Sequence, residues 1–70
     1  MSANNQVVIR KVGSMWWGWY DGCVDNEKDF LVEPDWKAKS KVKLIEMINN
    51  YLDKNEMWLE YGINEIGGLK

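Results

Sequence analysis

Met15-Trp16-Trp17-Gly18-Trp19-Tyr20 is the stretch on which the fold of this chain turns. Aromatic side chains suit a pleated, half-buried backbone, and the Asp21-Gly22 pair that follows is a turn signal, so the six residues read as a strand. Successive side chains on a strand point to opposite faces. Met15, Trp17 and Trp19 therefore share one face, and Trp16, Gly18 and Tyr20 share the other. Large rings lie on both.

On the N-terminal side, Val7, Val8, Ile9 and Val12 surround the basic pair Arg10-Lys11 and predict a first strand. Gly13-Ser14 then joins it to the aromatic strand as a hairpin. On the C-terminal side, Asp25 to Asp29 reads as a polar loop, and Phe30-Leu31-Val32 as a third strand ended by Glu33-Pro34. Asp35 is placed to cap a helix in which Val42, Leu44, Ile45, Ile48, Tyr51 and Leu52 recur at helical spacing, down to about Asp53. Met57-Trp58-Leu59-Glu60-Tyr61 alternates with period two and predicts a last strand, with Met57, Leu59 and Tyr61 on one face.

The expected fold is α+β: a small antiparallel sheet of three to four strands packed on one helix, in the order β-β-β-α-β. Residues 1–70 form a single domain, with 1–5 a flexible N-terminal arm and 62–70 a C-terminal tail. One helix covers one face of such a sheet, which leaves rings of the aromatic strand on the other face for water, a partner or a second copy of the chain.

Composition narrows the function classes. Seventy residues suffice for one core, and 46% apolar against 29% charged residues is the balance of a globular chain, not a disordered one. A single cysteine and no histidine exclude an intrachain disulfide and an ordinary Cys/His zinc site. The polar start Met1 to Gln6 lacks the pattern of a secretory leader, and no apolar run is long enough to span a bilayer, so a cytoplasmic location is expected.

Catalysis has little to draw on: no histidine serves as base, no glycine-rich loop cradles phosphate, and Cys23 sits among acidic residues that disfavour its thiolate. No catalytic residue, no cofactor and no metal ligand is expected. The acidic series Asp21, Asp25, Glu27, Asp29, Glu33 and Asp35 lacks the spacing of an EF-hand loop and reads as a solvated loop or one that meets a basic surface.

Tryptophan and tyrosine are enriched where proteins meet, because they desolvate much area with little rotamer entropy. Trp16, Trp17, Trp19, Tyr20 and Trp58 are therefore the expected partner-binding residues, and a protein is the expected partner. Nucleic acid is the second class, with bases stacking on the rings and phosphates meeting Arg10, Lys11, Lys37, Lys39, Lys41 and Lys43; the net charge of −2 weighs against it. The same lysines are candidate contacts for an acidic partner. A homodimer is the third reading.

Val7-Val8-Ile9, Trp19-Tyr20-Asp21-Gly22-Cys23 and Leu44-Ile45-Glu46-Met47-Ile48-Asn49-Asn50-Tyr51-Leu52 together resemble the N-terminal module of HicB-like antitoxins, in which a hairpin and strand precede a helix. In this chain Pro34-Asp35-Trp36-Lys37 stands where that family starts its helix with Glu-Glu-Ala. The resemblance implies an antitoxin-like partner of a toxin. In its shortness and tryptophan content the chain is also similar to early proteins of tailed phages, which implies an inhibitor or adaptor acting on a host defence or nucleic-acid-processing complex.

Overall fold

The computed structural model describes residues 4–22 and 29–69. Strand β1 (Gln6–Val12) and strand β2 (Met15–Asp21) pair antiparallel, with Val12 opposite Met15 and Gln6 opposite Asp21. The turn between them is Gly13-Ser14. Gly13 has φ +63 and Ser14 does not share the positive sign, as in a two-residue hairpin turn whose first central residue is glycine. Strand β3 (Trp36–Ala38) pairs antiparallel with β2, helix α1 spans Lys41–Lys54, and strand β4 (Ile63–Glu65) pairs parallel with β1. The sheet order is β3-β2-β1-β4.

The α+β class, the single helix among the described residues and the order β-β-β-α-β agree with expectation, but the sheet is mixed, not antiparallel, and three elements sit elsewhere in the chain. Phe30-Leu31-Val32 is not a strand. Phe30 has φ +50, which breaks an extended backbone, and the Asp29 side chain accepts a hydrogen bond from the Leu31 amide across that turn at 3.2 Å. The third strand is Trp36-Lys37-Ala38, where Trp36 lies opposite Gly18 and Ala38 opposite Trp16.

Asp35 does not cap the helix. Its amide donates to the Gly18 carbonyl at 2.8 Å and its carboxylate accepts from the Tyr20 amide at 2.7 Å, so it prolongs the β2–β3 pairing by one side chain. The cap is Ser40, whose hydroxyl accepts from the Lys43 amide at 3.1 Å. The helix ends in a Schellman arrangement: the Met57 amide reaches the Leu52 carbonyl at 2.8 Å, the Glu56 amide reaches Asp53 at 3.2 Å, and Glu56 takes the left-handed conformation at φ +53.

Met57 to Tyr61, expected as the last strand, is irregular because its polar backbone is met by one residue instead of a strand. Asn5 Nδ2 donates to the Trp58 carbonyl at 3.1 Å, Asn5 Oδ1 accepts from the Glu60 amide at 2.9 Å, and the Asn5 carbonyl accepts from the Tyr61 amide at 3.0 Å. Asn5 is buried, and the Asn4 amide is bonded to Glu60, so this part of the expected N-terminal arm is tied down. The expected tail is tied as well. After Gly62, at φ +71, the chain enters the sheet beside β1, and Leu69 pairs with Val12 in an isolated bridge.

The core lies between sheet and helix. Val7, Ile9, Ala38, Leu44 and Ile48 are buried, with Trp16, Trp36 and Leu52 among the side chains packed around them. Gly18 sets how closely the helix approaches. A Cβ there would lie 3.4 Å from Ile48 Cδ1 and 3.5 Å from Leu44 Cδ1, so the absence of a side chain lets α1 rest on the backbone of β2.

Candidate functional site

The register sorts the aromatic strand. Trp16, Gly18 and Tyr20 lie on the helix-facing side with Val7 and Ile9, and Met15, Trp17 and Trp19 lie on the opposite side with Val8 and Arg10. The opposite side is not left bare. The loop at residues 29–33 folds over it: the Phe30 ring is 5.7 Å from the Trp19 ring, and Trp19 Nε1 donates to the Val32 carbonyl at 3.0 Å. Arg10 fastens this cover by donating from Nη1 to the Phe30 carbonyl at 3.1 Å and from Nε to the Gly67 carbonyl at 2.8 Å. Val8 and Trp19 are buried as a result.

The five expected contact residues therefore separate. Trp19 is a buried support, and Trp16 and Trp17 are partly buried on opposite faces, each beneath an ammonium: Lys41 Nζ lies 5.9 Å from the Trp16 ring and Lys37 Nζ 5.2 Å from the Trp17 ring. Tyr20 is 38% exposed and Trp58 is 65% exposed. These two come together through Asn5, whose Nδ2 donates both to the Tyr20 hydroxyl at 3.2 Å and to the Trp58 carbonyl. Tyr61, 52% exposed, follows three residues after Trp58, its amide held by the same asparagine. Three residues with exposed rings, Tyr20, Trp58 and Tyr61, thus all bond to one buried asparagine.

Two open clefts flank Tyr20 and Asp35. One, of about 430 Å³, is lined by Tyr20, Asp35, Trp36, Tyr51 and Met57; the Trp36 and Tyr51 rings meet edge to face at 5.5 Å. The other, of about 490 Å³, is bordered by Tyr20, Phe30 and Val32 and by the carboxylates of Asp29, Glu33 and Asp35. Asp35, Tyr51 and Tyr61 were not expected at a site. Asp35 reads as a helix cap until β3 is known, and Tyr61 falls on the apolar side of an alternation that the irregular backbone does not follow.

The cations that would meet phosphate are largely engaged elsewhere. Arg10 is spent on carbonyls of its own chain, Lys37 pairs with Glu33 at 3.1 Å, Lys41 pairs with Glu65, and Lys43 lies 3.6 Å from Glu46. Lys11 and Lys39 are exposed and take no ion pair among the described residues. Lys37 and Lys41 do not share an element: Lys37 belongs to β3 and lies over the face of the sheet opposite the helix, and Lys41 opens α1. Cys23 and the stretch 25–28 of the expected acidic loop lie outside the described residues.

Among the described residues no group of three His, Cys, Asp or Glu side chains converges as a metal site, and no helix is long and apolar enough to cross a membrane. No protein-family model matches the chain, no curated protein matches it significantly, and no solved structure matches it significantly.

Proposed function

We propose that this chain is a non-enzymatic protein-binding module, acting as an inhibitor or adaptor, whose contact surface is the ring patch of Trp58, Tyr61 and Tyr20. The observation that carries the reading is the 65% exposure of Trp58 at a position where the backbone carbonyl is bonded to the buried Asn5. An exposed indole on a held backbone is an anchor whose apolar area is desolvated on binding with little backbone left to order. The engaged cations and the net charge of −2 favour a protein over nucleic acid as the partner.

The experiment is affinity capture on the immobilised full chain after nuclease treatment, repeated with Trp58→Ala and Tyr61→Ser. Both side chains are exposed, so both variants keep the native melting temperature and lose the captured protein. Retention of the same protein by both variants overturns the reading. The resemblance to antitoxins and to phage proteins makes a toxin or a host defence complex the proposed identity of what is captured, and mass spectrometry of the retained protein decides it.

A further inference from the structure

We propose that the cleft between Tyr20, Trp36 and Tyr51 receives an arginine side chain of the partner; this rests on the protein-binding reading above and supplies the chemistry of what is bound. Three of the five lining residues are aromatic, one is the thioether of Met57, and the fifth is the carboxylate of Asp35. Aromatic faces carry negative potential and attract a cation. The carboxylate adds a formal charge of the same sign. An apolar wall with a single acid calls for a side chain that is flat, apolar on its faces and cationic at its edge.

Among the described residues no cation of the protein itself is placed there. Asp35 makes no ion pair among the described residues: Lys37, two positions away, points to Glu33 and the Trp17 ring, and Lys41 is held by Glu65 beside Trp16. One Asp35 oxygen, Oδ2, accepts from the Tyr20 amide, and Oδ1 takes no hydrogen bond among the described residues. The neighbouring cleft across Tyr20 adds Asp29 and Glu33, so the surroundings reinforce the sign instead of neutralising it.

The walls are set before anything binds. The Tyr20 hydroxyl is bonded to Asn5, and its ring lies over Gly22, where a Cβ would come within 3.2 Å of Cε2. Trp36 packs against the core on one side and on Tyr51 on the other. Little side-chain freedom is lost on binding, which favours affinity. Guanidinium fits this arrangement better than ammonium, because it stacks on a ring while its N–H fork addresses a carboxylate, and because it is more weakly hydrated.

The test is NMR titration of the labelled full chain with N-acetyl-arginine amide and with N-acetyl-citrulline amide, which has the same shape without the charge. Arginine is expected to give saturable shifts at the Tyr20 amide and the Trp36 indole, with citrulline weaker by about tenfold. Asp35→Asn keeps an acceptor for the Tyr20 amide and removes the charge, and should weaken arginine by about fivefold; Tyr51→Leu removes one ring and should weaken it by about threefold. Equal binding of citrulline, or arginine shifts that bypass Tyr20 and Trp36, overturns the assignment. If the captured partner is lost by Trp58→Ala but kept undiminished by Asp35→Asn, the protein-binding reading stands and the arginine assignment falls. A captured partner that proves to be nucleic acid overturns both.

Discussion

Under α1 the sheet is closed by Val7, Ile9, Leu44 and Ile48, all nearly inaccessible, packed against one another with Gly18 as the point of closest approach. On the opposite face the same sheet is closed by polar bonds. Gln6 links Asp21 on β2 to Asn64 on β4, Arg10 holds the 29–33 loop and the Gly67 carbonyl, and the Trp19 indole is pinned to Val32. Burial without directed bonds tolerates little change of volume, whereas burial under a loop depends on a few hydrogen bonds and permits the rings around it to remain at the surface. The difference separates the two closures: the helix-covered face rests on packed apolar volume, and the loop-covered face on a few directed bonds.

Breaking the helix-covered face should have the largest effect. Leu44→Ala leaves a cavity in a fully buried position, and urea unfolding should report a loss of about 3 kcal/mol. Gly18→Val forces branched atoms against Ile48, Leu44 and Trp36, already at the edge of contact, and should cost about 2 kcal/mol in the same measurement. Breaking the loop-covered face should cost less and act locally. Arg10→Met removes the donors to Phe30 and Gly67, with an expected loss of about 1–2 kcal/mol and faster solvent exchange of the Trp19 indole proton by NMR. If that exchange rate did not change, Arg10 would not be what fastens the cover.

The smallest effect sharpens the comparison at its rim. Lys37→Gln removes an exposed ion pair and a cation over Trp17, and should change stability by less than about 1 kcal/mol, with the native difference shrinking further at high salt. A larger loss would mean that the loop-covered face is held by charge more than by the bonds of Arg10 and Trp19.

Much of the fold was legible because its signals are local. The hairpin followed from β-branched and aromatic runs around Gly13-Ser14, and the second half of the helix from the spacing of Leu44, Ile48 and Leu52. The third strand, the helix start and the last strand were misplaced because the deciding partners are distant. Asp35 is a plausible cap by composition, and only its bond to the Tyr20 amide makes it part of the sheet. Met57 to Tyr61 alternates like a strand, yet Asn5, more than fifty residues earlier, answers its backbone. Of the residues in the proposed contact surface, the exposed rings of Trp58 and Tyr20 are ones the sequence singled out; Trp19, expected at the surface, is buried, and Tyr61 and Asp35 were hidden by the same errors of element.

The aromatic strand Met15 to Tyr20 shows where the division falls. The alternation of its side chains, the glycine in its middle and the need for one helix above it are determined by sequence, since they follow from the period of a strand and the size of each residue. Which rings meet solvent was decided by tertiary structure alone: a loop with no regular pattern covers Trp19, and a single asparagine gathers Tyr20, Trp58 and Tyr61. Periodicity encodes faces. Exposure depends on what the rest of the chain brings to them.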